Sequence, residues 1–560
     1  MKRRARNLAM DGTATEIGFC HCRNENIPGN RYVMNDDHSS SGAPLPVATA
    51  ITRRGFGQAV GVAAVAGTLH ALSADTRADQ ARDSGRVAGS RPDDLCDLDA
   101  VELVARMRRK QVSARDVMAA HLARIEKTNP TVNAIVTLVA ERALADAARA
   151  DELAARGGTL GVLHGLPVAH KDLVDTAGIR TTQGSPFYRD NVPTRDAPIV
   201  TRTRDAGAVT CGKTNTPEFG AGSQTFNTVF GATRNPYDRT KTCGGSSGGA
   251  AVALACGMVP IAGGSDTGGS LRNPAAFCNV VGFRPSPGRV PGDSISWSPL
   301  AVSGPMARSV ADVALFLSAI AGPDPRSPLS IAEDPARFRA PLGRSFKGVR
   351  VAWWRGLGGI PVEPEIRRVI EANRRVFEDL GCSVEEAEPD FEGVDQAFPA
   401  LRYAANHPRY APLVRQRPEW VKDTIRFEVA EAERQTAADI GRALARQGRM
   451  YDQSRQFFER YEYFVLPVTQ VSPFDVNVPY PTEIAGTAMT NYVDWMRSCW
   501  YVTFMSNPAI SVPAGFTEGG LPVGIQIVGR HRDDWSVLQM AHAFEQATQH
   551  AKKRPALTGV

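Results

Sequence analysis

Residues 241–288 are dense in glycine and serine, yet they also carry apolar stretches such as AAVALACGMVPIA. A flexible linker of small residues has no such stretches, so this segment folds as a packed region with tight turns. Inside it, GGSDTGGS at residues 263–270 surrounds an acid and a threonine with four glycines and ends on a serine. A chain that gives up side chains around one hydroxyl lets another molecule approach its backbone. The surrounding fold then has to hold this segment from outside.

That surround alternates helical and extended patterns. Val101, Val104, Ala105 and Arg108 begin one helical stripe, and Ser113 is placed to cap a second helix running to Lys127. NAIVTLV reads as a strand and residues 140–156 as an Ala-rich helix. LPVAHKD is a short strand entering a polar loop, and AVTCGKT is another apolar extended piece. Residues 323–341 suit a surface loop, followed by VRVAWW, a helix around residues 364–380, and CSVEEAEP as a second strand. Residues 390–462 read as a mostly helical variable region; FVLPV, PAISVPAGF and a helix over residues 535–548 complete the series. No composition break or repeat divides residues 96–555, which predicts one large α/β domain with helices on both faces of a sheet.

Composition supplies exclusions. The 560 residues are 42% hydrophobic, with 65 Lys plus Arg against 59 Asp plus Glu, a formal charge of +6. No basic run is interleaved with aromatics, so no nucleic-acid surface is expected. Nine cysteines and ten histidines are scattered through the chain. That scatter predicts no metal site, and buried free thiols rather than a disulfide framework. Residues 1–80 read as a disordered leader. Within it, TRRGFGQAVGVAAVAGTLHALSAD joins Arg53-Arg54 to an apolar run ending in small residues. The run is shorter than the roughly 20 residues of a membrane span. Residues 52–74 resemble a twin-arginine export signal, which predicts a periplasmic or secreted protein; the alternative is cytoplasmic.

Several short motifs fail on context. GAVTCGKT fits the phosphate-loop expression, but its four middle residues are themselves the strand, and no long apolar helix follows. Asp266-Thr267-Gly268 matches the aspartic-protease triplet, whose only available second copy, Asp83-Ser84-Gly85, falls in the charged leader. Gly244 to Gly248 matches the nucleophile elbow, but polar turn residues stand where its strand should be.

One match joins these pieces. Lys171 in HKDLVD, Ser246 in GGSSGGAAVA and Ser270 in GGSDTGGSLRNPAAFCNVVGFRPSPGRV together resemble the amidase signature family. Ordered blocks such as GVLHGLPVAHKDLVDTAGIRTTQGS, AGAVTCGKTNTPEFG, FGATRNPYD and SNPAISVPAGFTEGGLPVGIQIVGR extend the likeness over roughly residues 98–550. The two serines stand 24 positions apart, as in that family. The resemblance implies a single domain with a mixed β-sheet core and an enzyme that cleaves a carboxylic amide. It implies Ser270 as the acyl-forming nucleophile, Ser246 as a bridging proton relay and Lys171 as the ultimate base. It further implies an oxyanion hole from the N–H groups of Thr267, Gly268, Gly269 and Ser270, a cis Gly245–Ser246 peptide, and a pocket loop around Gly220.

Ser247 is expected to hydrogen-bond Lys171, and Asp266 and Arg272 to brace the loop. Trp495, Cys499 and Trp500 fit either an aromatic pocket wall or buried core. The expected partner is a small-molecule amide, with no cofactor, no metal and no membrane span; nothing in the sequence fixes an oligomeric state. Two alternatives stand beside amide cleavage. The A-type component of a tRNA-dependent amidotransferase has the same catalytic set, but the export signal argues against it. A non-catalytic amide-binding protein is disfavoured by the intact Lys171, Ser246 and Ser270.

A lysine near its reference pKa of about 10.4 is charged at neutral pH and cannot act as a base. Burial favours the neutral amine, and Leu166, Pro167, Val168 and Ala169 just before Lys171 predict such burial.

Overall fold

The computed structural model describes residues 92–292 and 296–556, so the leader with Arg53-Arg54, and Cys20 and Cys22, lie outside the described residues. Ser113 caps the helix Ala114–Val132 by accepting from the Asp116 N–H at 3.0 Å, and the Asp116 carboxylate accepts the Ser113 N–H in return. This capping box satisfies two of the helix's open donors. The helix runs five residues past the expected Lys127 and tolerates Pro130 near its end.

Eleven strands form one central sheet. In chain order they are β1 (Ile135–Leu138), β2 (Pro167–Lys171), β3 (Val209–Thr214), β4 (Ile261–Asp266), β5 (Val281–Arg284) and β6 (Val302–Ala307). Then follow β7 (Arg350–Trp353), β8 (Ser383–Glu386), β9 (Tyr463–Pro467), β10 (Ala509–Phe516) and β11 (Pro522–Val528). Across the sheet the order is β1-β3-β2-β4-β6-β5-β10-β11-β9-β7-β8, with helices on both faces. The sheet is mixed: β2 runs parallel to β3 and β4, whereas β4, β6, β5, β10 and β11 pair antiparallel in succession.

Every residue of β2 is buried, as a strand covered on both faces requires. AVTCGKT is β3 itself, and Lys213 donates to the Val174 carbonyl and the hydroxyls of Thr176 and Thr181. The expected helix over residues 364–380 is two helices, Pro364–Ala372 and Arg374–Asp379. They break at Asn373, whose amide donates to Val369 O and Ala514 O, both at 2.8 Å. Residues 390–462 are dominated by the helices Val394–Gln416, Asp423–Arg434 and Ala437–Arg460. The seven described cysteines are all buried, and no disulfide joins any two of them. Among the described residues no helix is long and apolar enough to cross a membrane.

Candidate active site

β2 and β4 are neighbouring parallel strands, in register through Val168–Ile261 and Ala169–Ala262. Their C-terminal ends therefore deliver Lys171 and Asp266 to the same edge of the sheet. After β4 the chain turns through Thr267 to Leu271 into the buried helix Arg272–Phe277. The two serines of GGSSGG stand at the start of another buried helix, Gly248–Ala255. Gly264 lets them approach, since a Cβ there would lie 2.6 Å from Ser247 Oγ.

The result is a buried amine ringed by hydroxyls. Lys171 Nζ hydrogen-bonds Ser246 Oγ at 2.7 Å, Ser247 Oγ at 3.1 Å and Ser265 Oγ at 3.2 Å. Lys171 and Ser247 are fully buried, and Ser246 nearly so. Burial lowers the Lys171 pKa to about 7, against the opposing pull of the Asp266 carboxylate. The Ser247 hydroxyl also faces the Ser265 carbonyl at 3.4 Å. A neutral amine has two protons to donate and one lone pair. Ser247 and Ser265 suit the two protons, leaving the lone pair for the Ser246 hydroxyl.

Ser270 lies beside this group: its carbonyl accepts the Ser247 N–H at 3.2 Å. It is half-buried and its hydroxyl makes no hydrogen bond among the described residues, so it is the member open to a substrate. The Gly245–Ser246 peptide is cis. The Gly245 N–H donates to Asn273 Oδ1 at 2.9 Å, and Thr225 Oγ1 donates to the Gly244 carbonyl at 2.9 Å. Gly220 faces Ser246 from the other side, where a Cβ on it would lie 3.5 Å from Ser246 Oγ.

Of the four N–H groups expected to face an oxyanion, one has a partner within the turn. The Gly269 N–H is already engaged, donating to Asp266 Oδ1 at 3.0 Å. Thr267, Gly268 and Ser270 are the N–H groups in the turn without an acceptor among the described residues. Gly269 serves the turn through its conformation: φ is +115°, and a Cβ would sit 2.5 Å from Cys499 Cβ.

Beneath the turn, Asp266 is gripped by two arginines. Arg272 Nε and Nη2 reach its two oxygens at 3.0 and 2.8 Å, and Arg284 Nη1 approaches Oδ1 at 3.2 Å. All three side chains are fully buried. Burial alone would raise the Asp266 carboxyl, but the two guanidiniums overcome it and hold it well below the ordinary carboxylate range. One carboxylate between two guanidiniums leaves an excess positive charge behind the turn, which favours negative charge developing in front of it. Arg272 also bonds Cys499 O, Gln526 Oε1 and Thr503 Oγ1, so it ties the turn to the sheet and to the helix Arg497–Phe504.

Sequence reasoning missed Ser265, Asn273 and Arg284. Trp495 stacks on Phe277 and Trp500 on Phe398, both inside the core. Cys499 backs Gly269, and burial raises its thiol to about 12. No cluster of three or more metal-binding side chains occurs among the described residues.

Residues 116–538 match the protein family described as Amidase. An acylamidase of Rhodococcus erythropolis is 38% identical over 468 residues, spanning 82% of this chain and 97% of its own. A component of the glutamyl-tRNA(Gln) amidotransferase of Moorella thermoacetica is 36% identical over 488 residues, spanning 82% of this chain and 98% of its own. The crystal structure of a bacterial aryl acylamidase of the amidase signature enzymes superposes with a TM-score of 0.76 at 29% identity, covering 81% of this chain and 98% of that one.

Proposed function

The chain belongs to the amidase signature family and is an amide hydrolase, and from that premise we propose that it cleaves acylamides to a carboxylate and an amine through an ester on Ser270. The observation that carries this reading is the buried Lys171 amine 2.7 Å from Ser246 Oγ, with Ser270 beside it.

Ser270 Oγ attacks the amide carbon while its proton passes to Ser246 and the Ser246 proton to Lys171. The carbonyl oxygen, now negative, takes hydrogen bonds from the free N–H groups of Thr267, Gly268 and Ser270. Collapse breaks the carbon–nitrogen bond, and the proton held by Lys171 returns through Ser246 to the departing amine. Water then attacks the ester along the same proton path, releasing the carboxylate and Ser270. The acylamidase relative and the aryl acylamidase structure support an acylamide substrate.

The similarity to the tRNA-dependent amidotransferases favours a second reading, in which the acyl donor is glutamine and the ammonia passes to a partner. A panel of 4-nitroacetanilide, benzamide, short aliphatic amides and glutamine separates the two. Turnover of the anilide by the chain alone, lost in Ser270→Ala, supports the hydrolase. Turnover of glutamine only, and only with an added partner protein, supports the amidotransferase. Equal hydrolysis by both proteins removes Ser270 as the nucleophile, and binding without turnover supports an amide-binding protein.

The paired arginines and the apolar run after them support export as a folded protein. Changing Arg53-Arg54 to Lys-Lys is expected to retain the protein in the cytoplasm; unaltered export rejects that route.

A further inference from the structure

The turn Glu218–Gly220 lies against Ser246 in a conformation it has little reason to adopt alone. Phe219 has φ +53° and Gly220 φ +72°, and a left-handed bulky residue persists only where its surroundings enforce it. Residues 183–188 hold the turn through the Phe219 N–H, which donates to Gln183 O at 2.8 Å, and through the Tyr188 ring edge-on to Phe219. The helical region adds further contacts. Phe219 stacks on Tyr410 with ring centroids 5.4 Å apart, while the Arg409 guanidinium covers its ring at 5.3 Å. Phe219 and Ala221 join Tyr410, Val421, Ile425 and Val429 in an apolar cluster separate from the main core. The buried Glu218 carboxylate accepts from Ser185 Oγ at 2.7 Å and from the Lys422 N–H at 2.9 Å.

Lys422 completes the arrangement. Its ammonium donates to the Ala221 carbonyl at 3.4 Å and lies 4.1 Å from the centre of the Phe226 ring. Burial lowers it to about 8 against the pull of Glu218, Glu428 and Asp423, so it stays largely protonated at pH 7. These contacts act on the segment that seals Ser246, since a Cβ on Gly220 would reach both Ser246 Oγ and Leu173.

We infer that Glu218 and Lys422 are positioning residues that clamp the Gly220 turn over Ser246 and exclude water from the Lys171–Ser246 pair. The inference rests on the amidase reading of that pair and deepens it: the helical region, remote in sequence, sets the protonation of the base. Loosening the clamp admits water to Lys171 and returns its pKa toward the ordinary lysine value.

The test follows kcat/KM against pH with 4-nitroacetanilide for wild type, Lys422→Met and Glu218→Ala, with Lys422→Arg and Glu218→Gln as conservative partners. The midpoint is expected to rise by about one pH unit in the first two variants, with a roughly fivefold loss of kcat/KM at pH 7 and partial recovery in the conservative ones. Glu218→Ala leaves two donors unpaired and is the variant at risk of misfolding; Lys422→Met keeps the backbone bond to Glu218 and the aliphatic stem. A folded Lys422→Met enzyme with an unmoved midpoint overturns the clamp, even if its rate falls. Denaturant stability against pH reads the same proton without substrate. If wild type turns over no amide, the functional reading fails, and the clamp stands or falls on whether that stability curve shifts.

Discussion

Lys171 Nζ lies 2.7 Å from Ser246 Oγ with both side chains sealed from solvent, and that seal brings the amine down from 10.5 to about 7. A base must be unprotonated in the free enzyme, so kcat/KM is expected to rise roughly tenfold per pH unit below about pH 7 and level off above it. The same proton affects stability. Lys171 titrates lower in the folded chain than in the unfolded chain, so between about pH 7 and 10.5 the unfolded chain holds more protons. Stability therefore gains from this group as pH rises through that window, and the gain disappears in Lys171→Met. Kinetic and denaturant profiles of the two proteins check both signs.

Ser265 completes the shell of the amine at 3.2 Å. Ser265→Ala removes one acceptor without touching the relay, and is expected to lower kcat/KM roughly 3- to 10-fold, the range of one net hydrogen bond. Ser246→Ala breaks the proton path and is expected to cost at least about a thousandfold. Steady-state rates under one condition distinguish them. Equal losses would mean that Ser246 is only another acceptor for the lysine.

Much of this site was legible because its chemistry demands unusual local sequence. The apolar residues before Lys171 announced a buried lysine, and the glycines of residues 263–270 announced a close backbone approach. Ser265 was hidden because its role depends on strand register: Ala169 pairs with Ala262, which puts Ser265 near the level of Lys171. Arg284 belongs to β5, separated from β4 by β6 in the sheet, and no spacing along the chain reveals that crossing. The bond from the Gly269 N–H to Asp266 was hidden for a related reason. Glycine signals a permitted conformation, but the Asp266 oxygen that captures the Gly269 N–H becomes visible only once the turn has closed.

That turn is sensitive to any side chain at Gly269. With φ +115° and Cys499 Cβ 2.5 Å from the added atom, Gly269→Ala has to distort the backbone that carries Gly268 and Ser270. Losing one oxyanion donor costs about 10²–10³ in kcat, and Gly269→Ala is expected to reach at least the lower figure. Adding Cys499→Gly removes the clash and leaves the unfavourable φ, so rescue should be partial. Complete rescue would assign the whole effect to crowding.

Asp266 is the carboxylate that Arg272 and Arg284 share, so the turn depends on a charge that touches no reacting atom. Asp266→Asn keeps the shape but leaves two buried guanidiniums with a neutral partner. Breaking a buried pair from one side costs about 3–5 kcal/mol, and a loss of that size is expected in urea denaturation. Arg284→Met should cost less, because Asp266 keeps its two bonds to Arg272. It also removes the excess positive charge behind the oxyanion turn. The folded Arg284→Met enzyme is therefore expected to lose kcat more than it loses stability, whereas a purely structural Arg284 would show the reverse.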